Sequence, residues 1–322
     1  MPSSDVRSKP RITIVTPVYN EAEALPSYRE EVTRALLDHP DYNVEVLFVD
    51  DGSSDGSWDL IARFCEQDAR FRGVRLSRNF GAHAALSAGF DRADGDAVAT
   101  LACDLQDPPE VILEFLKKWG QGNKIVWGHR RTRQDSSWRI LASLAFVSLL
   151  RKHAMPRNSR FTTGSFFLID RVVAKCYRQF PERNRITFAL VAYTGFEQAV
   201  VEYDRMERKV GVSKWSFGQM LSALYDTFVG FSKLPARVMT RLGTGIFAAA
   251  MVFSVYLLIN WLGGDTFPGW TAVMLGLTLF AGGQFLMMGL MGEYLSRIYT
   301  EVAGRPLYFV SDRTGLGDDC DR

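Results

Sequence analysis

The stretch RITIVTPVYNEAEALPSYREEVTRALLDHPDYNVEVLFVDDGSSDG, residues 11–56, decides the fold. Ile12–Pro17 reads as an apolar strand, Glu23–Leu37 as a helical stretch and Val44–Val49 as a second apolar strand. The same alternation continues downstream. Asp55–Ala69 reads as a helix, Gly73–Ser77 as a strand, Gly81–Arg92 as a helix and Ala97–Cys103 as a strand. Pro108–Trp119 is a helix opened by proline, and Lys124–Trp127 a fifth strand. Strands separated by helices imply an α/β domain with a mostly parallel sheet and right-handed crossovers. In such sheets ligands bind beyond the carboxyl ends of the strands. Three polar segments fall there: Tyr19-Asn20-Glu21, Asp50-Asp51-Gly52-Ser53 and Asp104-Leu105-Gln106-Asp107.

After Gly128 the pattern changes. Ile140–Leu150 is apolar but spans 11 residues, too few to cross a bilayer. Trp215–Phe231 is amphipathic. Both could lie in a membrane interface or cover the sheet as ordinary helices. Two longer runs, Leu242–Gly264 and Thr266–Gly292, contain no charged residue. A bilayer core of about 30 Å takes about 20 apolar residues in a helix, so each is long enough to span. Asp265, Thr266, Pro268 and Gly269 read as the turn between them, giving a transmembrane hairpin; the alternative is a buried helical pair of a soluble protein.

Lys233, Arg237 and Arg241 precede the first run, Arg297 and Arg305 follow the second, and the turn carries no Lys or Arg. The positive-inside rule then places both termini, and the first domain with them, on the cytoplasmic side. Met1–Pro10 has no apolar segment, so no cleavable signal peptide is expected. The expected organisation is a domain over 1–210, an amphipathic juxtamembrane helix over 211–235, two spans over 236–300 and a cytoplasmic tail over 301–322. A formal net charge of +2 offers no bulk attraction for nucleic acid. The four cysteines lack a CxxC spacing, which fits free thiols in a reducing compartment, and the four histidines show no ligand spacing.

The acidic loops suggest a chemistry. A nucleotide sugar presents a base, a ribose, a diphosphate and a bond to its sugar. The diphosphate is neutralised by a divalent cation on oxygen ligands or by basic side chains. Asp104 and Gln106 are candidate oxygen ligands, with Asp107 a third, while Asp50 and Asp51 could accept hydrogen bonds from ribose hydroxyls or a base edge. Each Asp alone could equally be a turn or helix cap, as Asp55 is read to be.

Several strings together resemble a known family: Ile14–Glu21, Val49–Ser53, Leu76–Gly81, Asp104–Glu110, Gly292-Glu293-Tyr294-Leu295 and Arg305-Pro306-Leu307-Tyr308. The chain resembles the polyprenyl-phosphate glycosyltransferases of the inverting GT-A (family 2) class, which includes dolichol-phosphate mannose synthases and bacterial two-span bactoprenol glucosyltransferases. The resemblance covers nearly the whole chain. It implies that Pro17, Tyr19 and Glu21 line a nucleotide pocket with Asp51 near base and ribose, and that Asp104 and Gln106 hold Mg²⁺ or Mn²⁺ against the diphosphate. It further implies that Arg130, Arg208, Ser213 and Lys214 contact phosphates of the donor or of a lipid acceptor. For the basic cluster before the membrane, generic attraction to anionic headgroups is the alternative. Attachment to the inner (plasma) membrane and a homo-oligomer, a tetramer in many relatives, are implied as well.

The chain departs from the family pattern twice. Ala102 stands where Asp-x-Asp has its first carboxylate, and Ser165 in Thr163-Gly164-Ser165-Phe166 stands where relatives carry Asp, the usual candidate base. These bear on metal affinity and base catalysis. A lipid phosphate monoester, largely anionic near pH 7, can attack without a strong base. The expected reaction is inverting transfer from a UDP-sugar, glucose as first choice, to polyprenyl phosphate. The other reading is a weakened homologue acting as a membrane scaffold. A processive polysaccharide synthase is disfavoured, because the chain lacks Gln-x-x-Arg-Trp and further spans.

Overall fold

The computed structural model describes residues 9–131, 165–183, 185–206 and 269–316, with separate positions between 241 and 263. The chain divides into two compact units, Met1–Leu221 with Pro306–Arg322, and Ser222–Arg305.

The first unit contains, in order, β1 (Arg11–Val18), α1 (Leu25–Val32, continued by a π-helical turn Thr33–Leu37), β2 (Asn43–Asp50), α2 (Ser57–Gln67), β3 (Phe71–Leu76) and α3 (Ala82–Arg92). There follow β4 (Ala97–Thr100), α4 (Val111–Gly120), β5 (Ile125–Arg130), β6 (Phe167–Asp170), α5 (Arg171–Arg178), α6 (Thr187–Tyr193) and β7 (Gln198–Tyr203). Val310–Thr314, within the stretch expected as a tail, forms β8. The strands make one sheet in the order β7-β5-β6-β4-β1-β2-β3-β8.

The expected α/β architecture is present, and its five anticipated strands are β1 to β5. The four strands β3-β2-β1-β4 pair parallel throughout, as does β5 with β7. Elsewhere the sheet is mixed: β6 runs antiparallel between β4 and β5, and β8 runs antiparallel to β3. The sequence signal missed β6 because Phe167-Leu168-Ile169 is too short a run to tell strand from helix by periodicity.

Both faces of the central sheet are covered, which is why β1 is buried from Ile12 to Thr16 without alternation, its Thr13 and Thr16 hydroxyls hydrogen-bonded to Glu45 and Tyr28. Ile12, Ile14 and Val18 join Leu25 and Tyr28 of α1 in one core cluster. On that face Tyr28, Phe48, Phe64 and Phe71 meet at ring separations of 5.8 to 6.4 Å. Toward the other side, Phe90 of α3 packs edge-on against Tyr177 of α5 at 5.2 Å. Pro17 lacks an N–H, yet it sits beyond the last β1–β4 register pair, Val15 with Thr100, so no ladder bond is lost there.

In the second unit, Trp270–Ala303 forms a continuous 34-residue helix, α7. Among the described residues no helix is long and apolar enough to cross a membrane. The first apolar run is described only in part, its described positions from 243 to 259 being helical. The segments Ile140–Leu150 and Trp215–Phe231 and most of the turn between the runs lie outside the described residues. On α7, Val273, Leu277, Phe280, Phe285, Met288 and Met291 are each more than half exposed.

Candidate active site

The loops at the carboxyl ends of β1 and β2 are laced to each other. Asn20, with φ +53°, donates its backbone N–H to Ser53 Oγ at 2.9 Å and accepts from Ser54 N at 2.8 Å through Oδ1. Glu21 N donates to Ser57 Oγ at 3.0 Å, and the Glu21 carbonyl accepts from Ala24 N and Leu25 N, which starts α1. Asp55, read as a cap, does accept from Ser57 N at the start of α2, at 3.1 Å, and it also staples the two loops: Ala22 N donates to it at 3.0 Å and Ser57 Oγ at 2.6 Å. Burial works against its charge, but those hydrogen bonds hold its carboxyl below the ordinary value. Tyr19 is partly exposed beside this junction.

Asp50 and Asp51 are both buried, and burial raises both carboxyls above the usual range. Asp51 accepts from Phe80 N at 2.7 Å and Gly81 N at 2.9 Å, so it ties the β3–α3 loop to the end of β2. Asp50 Oδ1 accepts from Ser53 N at 3.1 Å. Its Oδ2 lies 3.3 Å from Arg75 Nε without hydrogen-bond alignment, an ion pair that leaves this buried oxygen unsatisfied. Gly52 makes the close approach of the two loops possible. At its φ of +71° a Cβ would come within 2.6 Å of the Arg78 carbonyl carbon.

Beyond β4, the loop 101–107 turns at Leu105, a non-glycine residue at φ +51° whose side chain is nevertheless buried in the core. Such a conformation costs about 1–2 kcal/mol and is typical of functional loops. Asp104 and Gln106 flank Leu105, both partly exposed, with Gln106 N donating to Asp104 Oδ1 at 3.2 Å. Ser165 sits across the end of β4, its carbonyl accepting from Thr100 Oγ1 and its side chain exposed.

Arg130 ends β5, and Arg205 follows β7. Both converge on Asp107, Arg130 Nη2 at 3.6 Å and Arg205 Nε at 3.9 Å, while Tyr203 OH donates to it at 2.6 Å. Burial disfavours the charge on Arg130, but the neighbouring Asp107 holds its guanidinium above the usual value. Burial, followed by repulsion from Arg130, pulls Arg205 down. Burial and Asp107 together raise the Tyr203 phenol, which stays neutral. Sequence reasoning noted Asp107 only as a third oxygen ligand and missed Tyr203 and Arg205. The readable signal was Tyr203-Asp204-Arg205, which leads into the basic segment at Arg208.

The structure thus brings Pro17, Tyr19, Glu21, Asp50, Asp51, Asp104, Gln106, Arg130 and Ser165 to the carboxyl side of the sheet. Arg208, Ser213 and Lys214 lie outside the described residues. A cavity of about 610 Å³ lies elsewhere, at the amino ends of β1 and β2 beside Arg11, Asn43 and Arg70. Among the described residues no group of three or more His, Cys, Asp or Glu could hold a metal. The partly exposed Asp104 carboxylate still suits Mg²⁺ or Mn²⁺ when substrate phosphate oxygens complete the shell, since Mg²⁺ characteristically takes one or two carboxylates plus phosphates, while the Gln106 amide oxygen accepts from Arg205 Nη2. Among the described residues the cluster carries cationic hydrogen-bond donors and a candidate cation ligand but no activated nucleophile. It can bind and polarise a phosphate-bearing substrate while a second substrate supplies the attacking atom.

Residues 13–178 match the family described as Glycosyl transferase family 2. An uncharacterized glycosyltransferase of Synechocystis is 36% identical over 311 residues, covering 95% of this chain and 96% of its own. The SfII prophage-derived bactoprenol glucosyl transferase of Shigella flexneri is 33% identical over 302 residues, covering 93% of this chain and 97% of its own. Among solved structures, glucosyl-3-phosphoglycerate synthase of Mycobacterium tuberculosis, with Mn²⁺, UDP and its product bound, superposes with a TM-score of 0.50 at 16% identity. That likeness covers 69% of this chain and 80% of the other.

Proposed function

The chain belongs to glycosyl transferase family 2, and from that premise we propose that it transfers a sugar, glucose as first choice, from a UDP-sugar to polyprenyl (undecaprenyl) phosphate at the cytoplasmic face of the inner membrane. The observation that carries the reading is the meeting of the Asp104–Asp107 loop with two guanidiniums beyond the carboxyl ends of β4, β5 and β7. A diphosphate leaving group and a phosphate acceptor both call for concentrated positive charge.

Pro17, Tyr19, Glu21, Asp50 and Asp51 form the nucleotide side of the site. Here Asp50 offers its unsatisfied oxygen, and Asp51 acts by holding the Phe80–Gly81 backbone. Asp104, with Gln106 beside it, would hold a Mg²⁺ or Mn²⁺ ion, which would supply charge neutralisation to the diphosphate. Arg130 faces the same charge, and Arg208, Ser213 and Lys214 receive the acceptor phosphate. An oxygen of that phosphate attacks the anomeric carbon as the bond to the UDP oxygen breaks, so configuration inverts and a β-linked polyprenyl-phospho-sugar forms. Ser165 can orient the acceptor but cannot deprotonate it near neutral pH, so the acceptor reacts as its dianion.

The exposed apolar side chains along α7 support membrane insertion, since a contiguous surface of this kind calls for lipid or protein cover. The proposed anchor is the two-span hairpin over 236–300, in the homotetramer that the family resemblance implies. Labelling of a cysteine at position 266 should require access from the side opposite the catalytic domain. Transfer is tested with purified protein in lipid nanodiscs, polyprenyl phosphate and a panel of radiolabelled nucleotide sugars. Organic-extractable product of a single sugar unit is expected. No product with any donor, despite UDP binding, would replace the enzyme by a scaffold, the outcome that Ala102 and Ser165 would permit.

A further inference from the structure

Gln106 is the side chain that a metal-loop reading gives to the cation, yet its Oε1 accepts a hydrogen bond from Arg205 Nη2. An amide oxygen committed to a guanidinium already faces a positive charge, and a second cation there would be repelled. The backbone reinforces the pairing, because Met206 N donates to the Gln106 carbonyl at 2.9 Å. Asp107 is likewise committed: its side chain is 6% exposed and is held by Arg130, Arg205 and Tyr203. Tyr203 OH also accepts from Arg130 Nε at 3.3 Å. The Tyr203 ring has little freedom to swing. It packs edge-on against Phe166 at 5.3 Å, Phe166 packs against Phe115 at 4.8 Å, and a Cβ on Gly128 would come within 2.9 Å of Tyr203 Cε1.

We infer that Gln106 and Asp107 are arginine-positioning residues, locked by Tyr203, and that the Arg130–Arg205 pair they hold forms a preset seat for phosphate oxygens, leaving Asp104 to the cation. This assignment deepens the glycosyl-transfer reading and rests on its claim that the substrates carry phosphate. It adds Arg205 as a second phosphate-binding cation and moves Gln106 from metal ligand to positioning residue. A guanidinium pair fixed before substrate arrives loses little side-chain entropy on binding. The seat could serve the donor diphosphate or the acceptor monoester, and the experiment separates the two.

Full-length protein in nanodiscs is titrated with UDP against uridine, in Mn²⁺, and with farnesyl phosphate against farnesol. Arg205→Ala and Gln106→Ala should each weaken the phosphate-bearing ligand about tenfold, the size of one charge-assisted hydrogen bond. Uridine and farnesol binding should not move. The double variant should be no weaker than Arg205→Ala, because Gln106 acts through Arg205. Tyr203→Phe keeps the ring and should weaken the same ligand severalfold, and Arg205→Lys should recover part of the loss.

A loss confined to UDP assigns the seat to the donor, and one confined to farnesyl phosphate assigns it to the acceptor. Additive effects in the double variant, or a raised Mn²⁺ requirement in Gln106→Ala alone, would put Gln106 on the metal and overturn the inference. Equal losses for phosphate and phosphate-free ligands would reduce the cluster to a structural role. If Arg205→Ala fails to fold, the Arg205→Lys and Tyr203→Phe titrations decide. The transfer assay stands apart: absence of product from the wild type defeats the enzyme reading, while phosphate binding that ignores Arg205 defeats the seat.

Discussion

Asp51→Asn should open the β3–α3 loop without unfolding the sheet. The Asp51 carboxylate receives two backbone N–H groups, Phe80 at 2.7 Å and Gly81 at 2.9 Å, and the residue is 4% exposed. Asparagine keeps one acceptor and turns an NH₂ toward the other N–H. One hydrogen bond to a charged group is lost, worth about 1.5–3 kcal/mol, and a buried N–H is left unmatched. Against this, burial already disfavours the Asp51 charge, so a neutral side chain recovers part of the cost. The net is about 2 kcal/mol, or roughly 30-fold in the local opening equilibrium. Because Gly52 lies against the backbone of Arg78 and Asn79, the loosening should spread to residues 50–53 and weaken UDP binding. Hydrogen–deuterium exchange of the peptide spanning 77–81 should speed up by that factor while peptides from β1 and β4 keep their protection. Unchanged exchange at 77–81 in a folded variant would refute the reasoning, as would a uniform rise across the sheet.

Asp104→Asn should lower turnover by at least about 100-fold, since stabilising a leaving group through a metal is worth several kcal/mol; activity that survives both this change and EDTA would remove the cation from the site. Ser165→Ala should cost roughly 0.5–1.5 kcal/mol in transfer, one neutral hydrogen bond, and the rate should rise with pH through about 6 and then level off as the acceptor becomes a dianion. Complete loss of turnover with UDP binding intact would show that Ser165 does more than orient. Asp170 caps α5 through Val172 N at 2.9 Å and accepts from Trp119 Nε1 at 2.8 Å and Lys124 Nζ at 2.9 Å. Burial opposes its charge, yet these donors hold its carboxyl below the ordinary value. Its stabilisation is therefore full above the unfolded pKa of about 3.9 and drains as pH falls toward the folded one. Asp170→Ala should lose about 2–3 kcal/mol at pH 7, and the gap should narrow in denaturant melts near pH 3; an equal gap at both pH values would contradict the assignment.

What the sequence determined by itself is local. Ile12–Pro17 and Val44–Val49 announce strands because both faces of the sheet are covered and most positions there are apolar, the exceptions Thr13, Thr16 and Glu45 being hydrogen-bonded in the fold. The acidic loops are legible because three of them recur at neighbouring strand ends, where a parallel sheet binds its ligands. The amino half of the sheet followed from alternation alone. Tertiary structure decided the rest, because it depends on residues that meet only after the chain has closed on itself. Tyr203 finds Asp107 from 96 residues away and Arg205 finds Gln106 from 99. No spacing rule carries across such distances, since the intervening chain can be any length that lets the strand ends meet. The same holds for β8, whose Asp312 accepts from Trp58 Nε1 at 3.2 Å across 254 residues and whose neighbour Tyr308 bonds Asp91 and Arg92. Val310–Thr314 is a polar edge strand with one hydrogen-bonded neighbour, so it needs no apolar pattern, and only its pairing with β3 reveals it.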